Sequence, residues 1–220
     1  MNIRLKLLIL SDILIISSFG LIAPIFAIFI NDSLEGGSIV SAGLAMTIFL
    51  VVKSSAQLPL SKYLIDKEKH KTRLLLVGTA LIISVPFIYV FADHVNTIFI
   101  AQAVYGLGTA FAYPCWFSLF ITYVDKRHKG FEYAVYSTSV GLGTALSAFL
   151  GAKIADALGF KALFFFVGGI AFLGFLLLII LDRIEGKDLR ILDRIRKKRE
   201  REKNRRRVAA EKGIRRKKNR

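Results

Sequence analysis

Ser61-Lys-Tyr-Leu-Ile-Asp-Lys-Glu-Lys-His-Lys-Thr-Arg73 is a short charged island between two long apolar runs, residues 39–60 before it and 74–92 after it. Each run is about the ~20 residues that a helix needs to cross a bilayer core. The Lys and Arg of the island mark the cytoplasmic side. The island also has an echo. A shift of ninety positions, without a gap, places Asp66 on Asp156, Lys71 on Lys161, Val77-Gly78 on Val167-Gly168 and Pro24 on Pro114. Several matches at one unbroken offset indicate an internal duplication of a three-helix unit.

Composition agrees with a chain built for lipid. Of the 220 residues 54% are apolar, with 18 Phe, and they come in long blocks rather than in the stripes of a soluble fold. The expected class is an all-α polytopic membrane protein. The net charge of +16 divides unevenly. Residues 1–181 carry 13 Lys/Arg against 9 Asp/Glu, a balance of +4, whereas residues 182–220 carry 19 against 7, a balance of +12. The expected organisation is therefore a transmembrane domain over 1–181, with repeats at about 5–92 and 97–181, followed by a basic cytoplasmic tail over 182–220. The single cysteine, Cys115, lies inside an apolar run, which excludes an internal disulfide and reads as a small buried residue. Arg4 and Lys6 precede an apolar stretch that runs on to about Ile30, longer than a signal-peptide core, so it reads as a retained first helix.

Six spans are expected, at about 5–30, 39–60, 74–92, 97–124, 131–158 and 162–181. Their connections are short, which makes neighbouring helices antiparallel. Arg4, Lys6, the island, Lys126, Arg127, Lys129 and the tail gather on one side, and only Lys161, with Lys153 nearby, on the other. Both termini are thus expected in the cytoplasm, in a multi-pass protein of the plasma (inner) membrane. A repeat of three spans must insert the second time upside down. Inverted repeats are the architecture of secondary transporters. Gly106-Leu-Gly108 in the fourth span, and Gly141-Leu-Gly143 with Gly151 in the fifth, are placed for close helix contact or as ordinary membrane glycines.

These residues resemble the N-terminal six-helix half of the major facilitator superfamily, over about residues 10–181. The family signature between its second and third helices, Gly-x-x-x-Asp-Arg/Lys-x-Gly-Arg/Lys-Arg/Lys, is matched by Asp66, Lys67, Lys71 and, just beyond, Arg73. Lys62 and Lys69 stand in place of its two glycines. The fourth-helix pattern Arg-x-x-x-Gly-x-Gly is present as Gln102-Ala-Val-Tyr-Gly106-Leu-Gly108, with Gln102 replacing the arginine. Asp125-Lys-Arg-His-Lys-Gly130 is similar to the family's acidic-basic turn before its fifth helix. The resemblance implies an MFS-like half of two inverted repeats. It also implies a cytoplasmic gating motif formed by Asp66, Lys67, Lys71, Arg73, Asp125 and Arg127. The lost glycines and arginine argue against proton-coupled antiport. Two six-helix halves normally enclose one cavity in this family, so the implied partner is a second copy or another six-helix half, unless the chain is a truncated remnant.

Asp12 and Lys53 are ionisable residues well inside spans. A charge in hydrocarbon costs several kcal/mol and usually faces a cavity or a partner. Both lie about seven residues from the cytoplasmic ends of neighbouring antiparallel helices, roughly 10 Å deep at 1.5 Å per residue. An ion pair between them is open, as is snorkelling to the interface. Gln102, Thr109, Tyr113 and Trp116 recur at steps of seven, four and three and share one helical face. That polar-aromatic stripe is a candidate wall for an amphipathic or aromatic solute, with Gln57, Tyr136 and Ser147 as weaker candidates. Interhelical hydrogen bonding is the plainer reading of the same side chains. Pro24 and Pro114 are placed to loosen their helices near mid-span.

His70, His94 and His128 lack ligand spacing, so no metal site is expected. No phosphate loop, nucleophile elbow or catalytic carboxylate pair is present, so neither an enzyme nor a cofactor is expected. The tail, with Arg196-Lys-Lys-Arg-Glu-Arg-Glu-Lys-Asn-Arg-Arg-Arg207 at its centre, suits anionic lipid at about 1 kcal/mol per basic residue near the surface. RNA is less well served, because no aromatic follows Phe175. Two functions remain in play. One is a transporter that moves a small solute by alternating access as a dimer of six-helix halves. The other is a non-transporting scaffold whose tail binds lipid, RNA or protein.

Overall fold

The computed structural model describes residues 2–65 and 71–218, with the backbone alone for 64–65 and 187–218. The chain is helical nearly throughout. The order is α1 (Ile3–Gly20), α2 (Phe26–Ser33), α3 (Ile39–Leu60) with a five-residue π-helical turn (Ser61–Ile65), α4 (Lys71–Val90), α5 (Val95–Tyr123) and α6 (Lys129–Lys218). Two compact units result, Met1–Leu181 and Asp182–Arg220.

Helix ends follow local chemistry. Ser38 caps α3 through a capping box with Ser41: its Oγ accepts the Ser41 N–H at 3.0 Å, and its own N–H bonds Ser41 Oγ at 2.7 Å. The first apolar run is not one helix. It divides into α1 and α2 at residues 21–25, around Pro24, where three-residue hydrogen bonds such as Ile22 N–H to Phe19 O (3.1 Å) replace the α pattern. Proline cannot donate, and its ring crowds the carbonyl four residues earlier. Pro114, its counterpart ninety residues on, lies inside the continuous α5. The last helix is interrupted at Gly159, with φ 80° and ψ 167°. An added Cβ there would meet nothing within 4 Å, so the backbone angle rather than space calls for glycine.

Among the described residues four helices are long and apolar enough to cross a membrane: Ile39–Tyr63, Lys71–Val90, Val95–Tyr123 and Lys129–Gly186. The last has 58 residues, and at about 1.5 Å each it exceeds two bilayer cores of about 30 Å. It is turned at Gly159 into two arms, 129–158 and 160–186.

Glycines set the helix crossings. A Cβ on Gly78 of α4 would stand 2.7 Å from the Gly108 carbonyl oxygen of α5, and one on Gly108 would stand 2.8 Å from that of Gly78. Gly106, on another side of α5, meets the Phe49 carbonyl of α3 at 2.8 Å. In the first arm of α6, Gly143 abuts Ser17, Gly151 abuts the Leu21 carbonyl, and Gly141 faces open space. Such approaches let backbones pack where lipid gives no hydrophobic drive between helices. Two apolar clusters fill the bundle. One lies around Phe29, Val85, Ile98 and Phe164, and the other around Leu8, Leu75, Cys115, Trp116 and Leu178. At the end of the bundle that holds the α2–α3 and α4–α5 connections, Glu35 N–H bonds Asp93 O (2.9 Å), Val95 N–H bonds Glu35 O (3.0 Å), and the Glu35 carboxylate meets His94 Nδ1 at 2.9 Å.

Candidate substrate cavity

Two cavities open among these helices. The first, of about 180 Å³, is lined by α1, α4, α5 and both arms of α6. Its polar and aromatic wall includes Asp12, Tyr105, Thr109, Tyr113, Trp116 and Tyr136. The second, of about 220 Å³, is lined by residues that include Phe26, Met46, Phe49, Tyr89 and Gln102. Phe19 and Tyr105 line both.

Asp12 accepts a hydrogen bond from the Tyr136 hydroxyl, O to O 2.6 Å. The distance is in the range of a strong charge-assisted bond. Tyr136 is held in turn by aromatic contact with Trp116 (4.7 Å between centroids) and Phe120 (5.9 Å). Trp116 stacks on Phe120 at 5.2 Å, and its buried indole N–H has no partner. Thr109 donates to the Tyr105 carbonyl of its own helix at 2.8 Å. Asp12 and Lys53 are not joined in an ion pair: the Lys53 ammonium stands over the rings of Tyr113 (5.5 Å) and Phe49 (5.9 Å). Equal distance from the helix ends does not imply the same azimuth around the bundle.

The stripe on α5 is divided. Thr109, Tyr113 and Trp116 line the first cavity, whereas Gln102 lines the second, its Nε2 donating to Tyr89 Oη at 3.2 Å and its buried Oε1 left without a partner. The divider is Tyr105, sandwiched between Phe19 (4.9 Å, 9° between planes) and Phe49 (4.6 Å, 25°). Sequence reasoning passed over Tyr105, although it lies three residues after Gln102 and four before Thr109 and so belongs to the same face. Tyr136 was the one weaker candidate to reach a cavity. Gln57 and Ser147 line neither cavity, and Ser147 packs by Gly20.

Of the expected gating residues, Asp66 and Lys67 lie outside the described residues. Lys71 reaches across to Ser118 of α5, Nζ to Oγ 2.6 Å, and Arg73 sits in the first turn of α4. Asp125 bonds locally: Oδ1 accepts the Arg127 N–H at 2.9 Å, and Oδ2 lies 3.3 Å from His128 Nδ1. These contacts, the backbone N–H foremost, hold its carboxyl below the usual carboxylate range. The Asp125 N–H is satisfied by Glu132 at 2.9 Å. Lys71 and Asp125 are thus engaged separately.

The fold and sequence have known counterparts. The sequence profile of the Major Facilitator Superfamily matches residues 8–218. An uncharacterized MFS-type transporter of Methanocaldococcus jannaschii is 28% identical over 161 residues, covering 73% of this chain and 40% of that protein. The multi-drug resistance efflux pump PmrA of Streptococcus pneumoniae serotype 4 is 27% identical over 165 residues, covering 74% and 41%. This chain therefore spans about two fifths of the length of these relatives. The crystal structure of an auto-inhibited POT family peptide transporter superposes with a TM-score of 0.66 at 14% identity, over 83% of this chain and 37% of that one. The chain belongs to the Major Facilitator Superfamily.

Proposed function

We propose that the chain forms one side of a membrane transporter that moves a small organic solute by alternating access. The solute sits in the cavity walled by Asp12 and the aromatic face of α5. The observation that carries this reading is the Asp12 carboxylate itself. It stands deep in an apolar bundle, hydrogen-bonded to Tyr136, on the wall of a cavity large enough for a small molecule. Ionisable groups at such depth mark solute or ion pathways. Family membership and a relative named as an efflux pump agree with it.

In the proposed arrangement six spans form two inverted three-helix repeats, counting α1 with α2 as one span and the two arms of α6 as two. Both termini face the cytoplasm across the plasma membrane. A second six-helix unit, a second copy or another half, closes the far wall. The relatives' greater length supports this, as do the exposed Val40, Leu50 and Val51 of α3 and Leu142, Leu146 and Phe149 of α6, which need lipid or protein cover. The test is oligomeric mass in a native-like membrane, by cross-linking and mass determination, on the full chain and on a version ending near Asp182. A dimer, with itself or with a second six-helix chain, is expected. The basic tail favours a second reading, a scaffold that recruits anionic lipid, RNA or protein, and a monomer throughout would favour that reading instead.

A further inference from the structure

Inside a membrane a carboxylate is normally balanced by a cation. Among the described residues none lies within ion-pair distance of Asp12. The partner considered from the sequence, Lys53, stands over the rings of Phe49 and Tyr113 and lines neither cavity. The wall around the carboxylate is aromatic: Phe19, Trp116 and Tyr136 line it, while Tyr105 is covered on both faces by Phe19 and Phe49 and Tyr113 already has the Lys53 ammonium over its ring. Aromatic faces carry the negative part of the ring quadrupole, so they attract a cation and have little to offer an anion. An anionic ligand would also meet the Asp12 charge. A neutral one would leave that charge unbalanced. Trp116 is only 7% exposed, and its ring is part of the same wall. The volume, about 180 Å³, is below the 300–1,000 Å³ range of typical ligand pockets and suits a small body.

We propose that this cavity binds a small monovalent organic cation that carries an aromatic or compact alkyl body, its charged centre against Asp12 and the surrounding ring faces. Such a ligand would be the solute of the proposed transport, so the assignment rests on that reading, but binding and flux are separable.

The molecule supplies its own reporter, because Trp116 is the single tryptophan of the chain and stands in the cavity wall. The full chain in lipid nanodiscs is titrated with benzyltrimethylammonium while Trp116 emission is followed. The comparison ligand is 2,2-dimethylpropylbenzene, which has the same shape with carbon in place of the charged nitrogen. A saturable change with the cation and none with the neutral isostere is expected, and Asp12→Asn should weaken the cation by about tenfold or more. An equal response to the two ligands on the unmodified chain overturns the assignment whatever the variant does. So does an unchanged affinity in Asp12→Asn, or the absence of any saturable response. Saturable cation binding without flux in proteoliposomes would sink the transport reading and leave the site standing. Flux of other solutes without cation binding would do the reverse.

Discussion

The rings of Phe19 and Tyr105 lie nearly parallel, 9° between planes and 4.9 Å between centroids, and both form part of the wall of both cavities. With Phe49 on the other face of Tyr105, at 4.6 Å, three helices meet in one aromatic septum. A ring pair contributes about 0.5–1.5 kcal/mol beyond area burial, so Tyr105→Ala should cost about 1–3 kcal/mol in the two pairs it removes. Tyr105→Phe keeps both pairs and should unfold like the parent. Detergent unfolding of the two variants in mixed micelles checks the contrast.

Gly78 and Gly108 should be intolerant of even one methyl group. A Cβ at Gly78 would lie 2.6 Å from the Ala112 nitrogen, and backbone cannot swing aside as a side chain can. Overpacking of this kind costs about 1–3 kcal/mol, so Gly78→Ala should lower stability by that amount. Gly141→Ala, where a Cβ meets nothing within 4 Å, is the matched control and should be neutral or slightly stabilising. Parallel unfolding curves decide.

Asp12 should couple to Tyr136 and not to Lys53. Hydrogen bonds to charged groups contribute about 1.5–3 kcal/mol, so the cycle of Asp12→Asn with Tyr136→Phe should show a coupling energy of at least about 1 kcal/mol. The cycle of Asp12→Asn with Lys53→Met should be additive to within about 0.5 kcal/mol. A large coupling in the second cycle would indicate that the two charges sense each other directly.

The turn after α5 should loosen in acid. The Asp125 carboxyl is held below its ordinary value by the Arg127 N–H and by His128. A group with a depressed native pKa stabilises above its unfolded value, about 3.9 for Asp, and loses that contribution as pH falls through the native one. Amide exchange at Arg127, corrected for its intrinsic pH dependence, should therefore be protected at neutral pH and lose protection below about pH 4. Asp125→Asn should show weaker protection throughout and no such pH step.

Much of this was readable from the residues, and the remainder has identifiable physical causes. The α5 stripe was legible because helical periodicity fixes which side chains share a face. Its division was not, since Tyr105 becomes a septum only where α1 and α3 bring Phe19 and Phe49 to it. That crossing depends on the Gly106 contact with Phe49. Pro24 and Pro114 sit at matching positions yet behave differently. Residues 21–25 form a turn between α1 and α2, whereas α5 is pinned against α3 at Gly106 and against α4 at Gly108, and packing there overrides the local preference of proline. Asp12 and Lys53 lie on neighbouring apolar runs, but a position along a run, read from hydropathy, carries no azimuth. The helix break at Gly159 was signalled by glycine between two apolar runs, and its positive φ is the reason that residue is there.

The proposed transport requires the cavity beside Asp12 to be a passage and not a packing void. Thr109 lines it, and Cys115 is the chain's single, buried cysteine. Thr109→Cys in a Cys115→Ala background, reconstituted in sealed vesicles, places one thiol in the cavity. Membrane-impermeant thiol reagent is then applied from either side in turn. Labelling from both sides, each slowed by a bound solute, is the expected result. Labelling from one side alone, or from neither, would contradict alternating access through this site.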